Sequence, residues 1–422
     1  MKIAIFTRST IDHFTSGGME THLLNLSEGL VSIGHSVDII TTSYPGKDMV
    51  ESRDVNFLRN GVEYFFIGGT TPGLRPISLY ESILLFLRVY KRSRLGEGGK
   101  NFYIESLNLF TELSKSRKYD IVLSQSTMGY GITGKVSVPI CSIIHGTISG
   151  EIKNRLRSSK TIKNWIRFFI LDLPNWIIEL YAYNNRFYRK IDGVISVSNS
   201  LASEFRKEKK HIHAIIDVIY NGVDSDKFSP ALTKPPEPFT LLNVGRMERE
   251  KGIDTIINAV RILLDKGLDL RLVIVGTGVH LDEFKLLASE KKILDKVFFK
   301  GEISNDKITD IYKTSHLFVI PSRRNEGHPM VLSESLCSGL PIISSNKGGL
   351  KDIIINGVNG YILDTNEAPE LAEKISVIYN DRKLLRVLSR NARKIGVEKY
   401  SKKAMIEKYD LVLNKIHDEY FK

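Results

Sequence analysis

The sequence predicts an α/β protein built from two Rossmann-like domains, and three observations support this prediction. The chain has 422 residues, which is more than one hydrophobic core usually organises. Runs of β-forming residues alternate with stretches of helical periodicity, as in parallel sheets whose strands are joined by crossover helices. Near the middle, the segment SPALTKPPEPF carries four prolines, which forbid a helix and predict a linker.

The position of this linker defines the predicted domains. We place an N-terminal domain at 1–228, the linker at 229–238 and a C-terminal domain at 239–398. The last stretch, 399–422, is predicted to be a helix because apolar residues recur among charged ones at helical spacing.

The first strand, turn and helix show how each element is predicted. Ile3 to Thr7 is a short β-rich run, and apolar residues four or three positions apart between Met19 and Ile33 form one helix face. The turn between them, Ser16-Gly17-Gly18, allows a phosphate to approach the backbone closely. Gly17 and Gly18 are therefore candidate ligand contacts, with a turn that simply needs glycine as the alternative.

Further β-rich runs predict the remaining strands. They are Val37 to Thr42, Val62 to Ile67, Ile121 to Ser124, Pro139 to Ile144, Gly193 to Val197, Ile215 to Ile219, FTLLNV, LRLVIV, VFF, LFVI and PIIS.

The composition excludes several classes of protein. With 42% hydrophobic and 26% charged residues the chain is globular, neither disordered nor fibrous. Its two cysteines, Cys141 and Cys337, lie in apolar or small-residue stretches, so we expect buried thiols and no disulfide framework. The amino terminus lacks the apolar core of a secretory signal, and the stretch from Trp165 to Tyr183 is too interrupted by charges to span a membrane. The predicted compartment is the cytoplasm.

The net charge of +12 is concentrated in one segment. Residues 151–190 contain nine lysines and arginines against three acids, interleaved with aromatic residues. This pattern suits peripheral contact with an anionic membrane surface, at the inner face of the cell membrane, and a solvated basic face is the alternative. A nucleic-acid partner is disfavoured because no recognition motif accompanies the charge.

The segment EGHPMVLSE, from Glu326 to Glu334, is the strongest candidate for chemistry. Pro329 suits the first position of a helix, so the free N–H groups of Met330 and Val331 would face an anion. The two glutamates flank that position, one able to hold a sugar and the other a ribose.

A second motif supplies positive charge. VGRMEREKG places Arg246 and Lys251 around a turn that follows a strand. A guanidinium fork and a mobile ammonium together neutralise a leaving diphosphate, which makes a metal ion unnecessary. The alternative is a basic turn on the protein surface.

Two further loops carry weaker signals. IVGTGVHLDEF places Gly276 and Gly278 between a strand and a helix, as at any tight turn. IIHGT places His145 at the carboxyl end of a strand, where open α/β sheets bind ligands, and a buried core histidine is the alternative.

In these motifs the chain resembles the retaining glycosyltransferases of the GT-B fold, family 4, also named glycosyl transferases group 1. The family signature is two glutamates separated by seven residues, and Ser335 replaces the alanine that usually follows the second. Val279 stands for the proline of the family's Val-Gly-x-Gly-Pro turn, and Asp352 stands where the family's final motif has glutamate.

The resemblance implies two parallel-sheet domains that face each other across a cleft, with the final helix crossing back to the first domain. It also implies catalytic roles. By this resemblance, Glu326 would contact the donor sugar, and Arg246 and Lys251 would contact the diphosphate. His145 would contact the transferred sugar. The other implied donor contacts are Gly17, Gly18, Gly276, Ile303, Gly327, His328, Met330, Val331 and Glu334, the last of these on the ribose.

The predicted function is retaining, metal-independent transfer of a hexose from a nucleotide-diphosphate sugar to an acceptor hydroxyl. A UDP-sugar is the favoured donor, with a GDP-sugar as the alternative. The expected acceptor is a glycan or lipid-linked saccharide of cell-surface polysaccharide or glycoconjugate synthesis. No cofactor or metal is expected. A nucleotide-sugar epimerase or hydrolase of the same fold and a non-catalytic partner subunit are the alternative functions.

Overall fold

The chain folds into two compact units, each with one mainly parallel sheet. The computed structural model describes residues 1–10, 17–42, 57–67, 102–150, 152, 173, 184–210, 212–231, 237–304 and 307–422. Unit 1 comprises Met1–Ile219 and Ile406–Lys422, and unit 2 comprises Tyr220–Met405. The α/β class predicted from the alternating pattern is confirmed.

Unit 1 contains an eight-stranded sheet. Its strands are β1 (Lys2–Phe6), β2 (Ser36–Thr42), β3 (Phe57–Arg59), β4 (Val62–Ile67), β5 (Ile121–Gln125), β6 (Ile140–Ile144), β7 (Gly193–Ser196) and β8 (Ile215–Val218). They are arranged in the order β3-β4-β2-β1-β5-β6-β7-β8, and every neighbouring pair is parallel except β3 with β4. The three-residue strand β3 was not predicted. The helices of the described part are α1 (Gly18–Ser32), α2 (Phe102–Ser116), α3 (Asn185–Tyr188) and α4 (Asn199–Glu208).

Unit 2 contains a six-stranded parallel sheet in the order β11-β10-β9-β12-β13-β14. Its strands are β9 (Phe239–Val244), β10 (Leu270–Val275), β11 (Val297–Phe299), β12 (Leu317–Ile320), β13 (Ile342–Ser345) and β14 (Gly360–Leu363). Its helices are α5 (Ile253–Asp265), α6 (Leu281–Glu290), α7 (Ile308–Lys313), α8 (Met330–Cys337), α9 (Ala368–Asn380) and α10 (Arg382–Tyr400). A last helix, α11 (Lys402–Phe421), begins in unit 2 and continues in unit 1.

Apolar strands form the centre of both sheets because helices cover both faces. Ile3, Ile5 and Phe6 of β1 are fully buried, as expected of a parallel strand with no solvent-facing side. In unit 2, Ile256, Val260 and Leu263 of α5 lie on one helix face and pack into the core around β9 and β10. The two cysteines are free and buried, as predicted.

The boundary between the units differs from the predicted linker at 229–238. It lies between Ile219 and Tyr220, so the segment ahead of the prolines already belongs to unit 2. There Val223 forms a parallel bridge with Ser401, and Phe228 packs into a core cluster of unit 2. Proline content marks where regular structure stops, whereas the boundary depends on which core the side chains join.

The final helix joins unit 1 from Ile406 onward. The Tyr409 hydroxyl lies 3.4 Å from His22 Nε2, and His35 Nε2 lies 2.9 Å from an Asp410 carboxylate oxygen. Ile416 packs over Gly193 of β7, where a Cβ atom would lie 2.3 Å from Ile416 Cδ1. The glycine of β7 therefore makes room for the helix.

No helix within the described ranges combines the length and the apolar character needed to cross a bilayer. Of the basic segment 151–190, the structure describes residues 152, 173 and 184–190. The predicted membrane contact thus lies almost entirely outside the described residues.

Replacing Ile416 by alanine is expected to destabilise the protein by about 2–5 kcal/mol, because Ile416 is 1% exposed and its loss leaves a cavity over Gly193. Leu411 lies on the same helix and is 70% exposed, so Leu411→Ala is the matched control, with an expected change within about 0.5 kcal/mol. Urea unfolding measures both values. Equal losses in the two variants would show that the helix does not pack as described.

Candidate functional site

Four loops at the carboxyl edge of the unit 2 sheet carry the residues predicted to form the site. They follow β9, β10, β11 and β12, which are consecutive in the sheet. Arg246 and Lys251 follow β9, Gly276 follows β10, Ile303 follows β11 and Glu326 follows β12. Because parallel strands end at the same edge, residues far apart in the sequence are brought to one place.

The loops after β9 and β10 are in close contact. Met247 N donates to Thr277 O at 2.8 Å, and Gly245 N donates to Val275 O at 3.0 Å. Gly276 has a φ of +126°, and a Cβ atom there would lie 2.1 Å from the Gly245 carbonyl oxygen. Glycine is therefore required at Gly276 both by backbone conformation and by space. The glycine pair predicted to shape the pocket packs directly against the arginine loop.

Lys251 is held at the end of a short 3₁₀ turn, Arg249–Lys251. The next residue, Gly252, has a φ of +72°, and a Cβ atom there would lie 2.1 Å from Pro321 O at the end of β12. The turn thus lies against the β12 loop. Arg323 N strengthens this contact by donating to Glu250 O at 2.7 Å.

The structure brings Lys251 and Glu326 together. Lys251 Nζ lies 2.7 Å from Glu326 Oε1, and the two side chains are only 17% and 12% exposed. Burial alone would raise the pKa of the Glu326 carboxyl, but the Lys251 ammonium, with smaller contributions from Arg324 and the Ser322 hydrogen bond, holds this pKa below its usual value. The Glu326 carboxyl is therefore ionised at neutral pH and forms a partly buried ion pair with Lys251.

Two residues that the sequence analysis did not single out position this pair. Ser322 Oγ lies 3.0 Å from Glu326 Oε1 and 3.2 Å from Glu250 O. The Arg323 guanidinium forms a two-pronged ion pair with Asp254 at 2.7 and 2.8 Å and donates to Arg249 O at 2.7 Å. Ser322 and Arg323 lie just after β12, beyond Pro321. Their place at the carboxyl end of a strand is the feature of the sequence that could have marked them as site residues.

The backbone of Glu326 is held by the glycine pair of the segment GGLKD. Gly349 N donates to Glu326 O at 2.8 Å. Gly348 has a φ of +53°, and a Cβ atom there would lie 2.3 Å from Glu326 O. The segment received no functional assignment from the sequence, yet it fixes the main chain of a predicted site residue.

Helix α8 begins one residue later than predicted, at Met330, with Pro329 as the flanking residue in an extended conformation (φ −62°, ψ 131°). Leu332 N donates to Pro329 O, so the first turn is tight. Met330 is buried, whereas Val331 and Gly327 are partly exposed. The first N–H groups of any helix lack intrahelical acceptors, and here they lie beside the Glu326 loop.

The His328 side chain is hydrogen-bonded within unit 2. Its Nδ1 accepts a hydrogen bond from Asn221 N at 3.0 Å, its Nε2 lies 3.0 Å from Ser333 Oγ, and Asn221 Nδ2 donates to its carbonyl oxygen. The ring is buried between Tyr220 and Tyr400. His328 therefore anchors the turn before α8 to the segment that starts unit 2.

Glu334 lies on α8 in a different environment from Glu326. It is 9% exposed, and its Oε2 accepts a hydrogen bond from the Tyr312 hydroxyl at 2.7 Å. Burial raises the pKa of this carboxyl to about 7, more than the tyrosine hydrogen bond lowers it. The two glutamates of the motif thus have pKa values displaced in opposite directions.

Arg246 lies on the exposed side of the site. Its side chain is 66% exposed and pairs with Glu248 at 2.9 Å. An exposed ion pair of this kind contributes little to stability, so the guanidinium can change partner at small cost.

Ile303, in the loop after β11, is partly buried and packs against a core cluster of unit 2.

In unit 1, His145 follows β6 and its Nε2 lies 2.6 Å from Gln125 Oε1 at the end of β5. Burial lowers the pKa of this imidazole to about 4, so it is neutral at neutral pH.

Gly17 caps the start of α1 and Gly18 is its first residue. The φ of −88° at Gly17 is open to any residue, so backbone conformation does not explain the glycine there; Ser16 lies outside the described residues.

Within the described ranges, no group of three His, Cys, Asp or Glu side chains is arranged to hold a metal ion.

Two family models together match almost the whole chain. The model described as Glycosyltransferase Family 4 matches residues 16–227, and the model described as Glycosyl transferases group 1 matches residues 224–395. The division between them falls close to the boundary between the two units.

Individual proteins agree with these models. An uncharacterized glycosyltransferase of Methanocaldococcus jannaschii is 26% identical over 95% of this chain and 95% of its own length. The UDP-Gal:alpha-D-GlcNAc-diphosphoundecaprenol alpha-1,3-galactosyltransferase of Escherichia coli is 27% identical over 74% of this chain and 81% of its own. The crystal structure of Anabaena HepE in complex with UDP and glucose covers 98% of this chain and 99% of its own, with a TM-score of 0.67 at 18% identity. The chain belongs to glycosyltransferase family 4, the glycosyl transferases group 1, and is a glycosyltransferase of the GT-B fold.

Proposed function

We propose that this glycosyltransferase takes its sugar from a nucleotide-diphosphate donor, with a UDP-sugar favoured, and that unit 2 binds the donor. The observation that carries the proposal is the Lys251–Glu326 pair beside the first turn of α8. Support for the nucleotide comes from the E. coli relative, whose name specifies UDP-Gal, and from HepE, whose structure contains UDP and glucose.

The ion pair suits a site that binds an anion and a sugar together. A lysine ammonium has three donor hydrogens, and one of them is used by Glu326 Oε1. The others remain available for phosphate oxygens, while the second carboxylate oxygen of Glu326 accepts from a sugar hydroxyl. Glu326 thereby orients Lys251 as well as the sugar.

In the proposed reaction, the bond between the anomeric carbon and the diphosphate breaks through an oxocarbenium-like transition state. The charge that develops on the leaving diphosphate is stabilised by Lys251, by Arg246 and by the N–H groups at Met330 and Val331. The acceptor hydroxyl attacks from the same face and gives its proton to the departing phosphate, so the configuration is retained and no side-chain base is needed.

His145 is proposed to orient the transferred sugar by hydrogen bonding. Because its pKa is lowered to about 4, the ring is neutral and acts as a hydrogen-bonding group without charge. Its contact with Gln125 fixes the ring orientation.

The proposed acceptor is a hydroxyl of a glycan or a lipid-linked saccharide. The support is the E. coli relative, whose named acceptor is a sugar on diphosphoundecaprenol, and the basic segment 151–190, which suits an anionic membrane surface. Cell-surface polysaccharide or glycoconjugate synthesis is the corresponding process.

Lys251→Ala and Glu326→Gln are expected to lower turnover by about 100-fold or more, because each removes a group that acts on the transition state. Calorimetry with UDP separates their roles. Lys251→Ala should weaken UDP binding, whereas Glu326→Gln should bind UDP at least as tightly as wild type, since UDP carries no sugar and Lys251 is released from its carboxylate.

The matched control for these variants is Arg249→Ala. Arg249 lies in the same turn and pairs with Glu283 on the surface. Its replacement by alanine is expected to leave turnover unchanged. Release of nucleoside diphosphate from a panel of nucleotide sugars measures turnover, and thermal unfolding checks the fold. Wild-type turnover in folded Lys251→Ala would disprove the proposed site.

Transfer is expected to continue at the same rate after exhaustive treatment with EDTA, because cationic side chains and a helix start neutralise the leaving group. The measurement is the initial rate before and after chelation. Activity that is lost with EDTA and restored by Mg²⁺ or Mn²⁺ would refute the metal-independent mechanism.

Glu334 gives the ligand-free protein a specific pH dependence. Its pKa is raised to about 7 in the folded state from an ordinary value near 4.5, so the folded state binds the extra proton between these pH values. Stability should therefore fall as the pH rises through this window, by about 3 kcal/mol for this group.

Glu334→Gln is expected to remove that loss, so that the variant is more stable than wild type at pH 8 and similar at pH 4.5. The same variant should bind a UDP-sugar more weakly at pH 8, because the proposed ribose contact needs the ionised carboxylate. Thermal unfolding and calorimetry at the two pH values test both statements. If the stability of the wild type relative to Glu334→Gln increased with pH, both statements would be contradicted.

A further inference from the structure

A cavity of about 460 Å³ opens at the amino edge of the unit 2 sheet. It is lined by His316, which precedes β12, and by Leu340, which lies just ahead of β13. The site loops described above follow the carboxyl ends of the same sheet. The cavity is therefore at the opposite edge of the sheet and shares none of the proposed donor contacts.

The lining of this cavity is strongly cationic. Helix α10 contributes Arg382, Arg386 and Arg390, which are four residues apart and so share one helix face. Lys313, at the end of α7, adds a fourth cation, and Glu237 is the acidic residue of the lining. Four positive charges thus face one negative charge.

Most of these cations are not engaged elsewhere. Arg382 pairs with Glu237 at 3.3 Å and stacks on Phe239. Lys313, Arg386 and Arg390 form no ion pair or side-chain hydrogen bond with any part of the chain that the structure describes.

Arg393, on the same helix, shows what an engaged arginine looks like. It donates to the carbonyl oxygens of Ser225, Phe228 and Cys337 at 2.9, 2.9 and 2.5 Å and so joins three segments of unit 2. Arg386 and Arg390 have no such structural task, which leaves them available to a ligand.

A buried hydroxyl in the lining also lacks a partner. Ser338 is 3% exposed, and its Oγ has no hydrogen-bond partner among the residues that the structure describes. Leaving a buried hydroxyl without a partner is costly, so such groups are normally paired. Its position in the lining makes this hydroxyl available to a polar ligand.

The cations exceed what the neighbouring helix ends require. Helices α7 and α8 both end at this edge, at Lys313 and Cys337, and each helix end carries about half a negative charge. These ends together offset about one of the three excess positive charges. A net positive charge remains, which suits an anionic ligand such as a phosphate monoester.

We propose that this cavity is a binding site for a phosphate monoester, separate from the donor site. The guanidinium groups of Arg386 and Arg390 provide forked donors for phosphate oxygens, Lys313 a point charge and Ser338 a hydroxyl donor. The volume exceeds that of phosphate alone and lies within the usual range for small-molecule sites, so the phosphate belongs to a larger molecule. The two sources of this chemistry are a soluble phosphorylated metabolite and a lipid headgroup.

Two probes with the same phosphate monoester distinguish the sources. Glycerol 3-phosphate represents the soluble form, and phosphatidic acid in phosphatidylcholine vesicles represents the headgroup form. Both are titrated into the full chain by calorimetry with saturating UDP present, so that the proposed donor site is occupied, and again without UDP. Binding to the cavity is expected under both conditions, so a failure of the proposed donor site does not affect the outcome.

The variants locate the binding. The double variant Arg386→Gln, Arg390→Gln is expected to weaken binding by about tenfold or more, since each charge-assisted contact is strong. The double variant Lys383→Gln, Lys394→Gln removes two exposed charges from the same helix outside the cavity and should bind as wild type does. Ser338→Ala should weaken binding without lowering the unfolding temperature of the ligand-free protein, because its Oγ has no partner to lose.

Binding that is weakened by the cavity double variant supports the site. The probe that binds more tightly, glycerol 3-phosphate or the phosphatidic acid vesicle, identifies the source of the phosphate. Equal weakening by the two double variants would show unspecific attraction to a basic helix and overturn the proposal. The absence of binding with both probes would overturn it as well.

Discussion

The ion pair between Lys251 and Glu326 is the contact around which the site in unit 2 is organised. It joins the loop after β9 to the loop after β12, and these strands are neighbours in the sheet although β10 and β11 lie between them in the sequence. Gly252, Ser322 and Arg323 all hold the two loops together around this pair. A buried charge without its partner is strongly destabilising, so the pair links the integrity of the loops to the chemistry of the site.

Burial has opposite consequences at neighbouring acids, depending on whether a cation accompanies it. Glu326 is buried beside an ammonium and keeps its charge, whereas Glu334 is buried beside a tyrosine hydroxyl and has a pKa of about 7. His145, buried beside an amide, is neutral. The polypeptide thus supplies a charged carboxylate, a titratable carboxyl and a neutral imidazole from residues that all have ordinary pKa values in an unfolded chain.

Sequence patterns predicted the parts of this structure that depend on local residue order. The strands FTLLNV and LRLVIV and the turn with Arg246 and Lys251 occur where the apolar runs and glycines indicate. Contacts between distant segments were not predictable in this way. Nothing local to Ser322 or Arg323 shows that they meet Glu250, because that contact depends on the order of strands in the sheet.

The same limit applies at single residues. His328 follows a glutamate and a glycine in a ligand-binding motif, but its ring packs between Tyr220 and Tyr400, which the sequence places far away. The prolines of the linker likewise gave no information about the segment from Tyr220, whose side chains join the core of unit 2. Local pattern reveals the type of element, and tertiary packing determines which residues an element meets.

Tyr312 lies between the cationic cavity and the Glu334 carboxyl. It is fully buried, it borders the cationic cavity, and its hydroxyl donates to Glu334 on the other side of the ring. Protein interiors are close-packed and transmit strain, so a change in the size of this side chain acts on both environments. A substitution of Tyr312 is therefore expected to alter both the cavity lining and the hydrogen bond to Glu334.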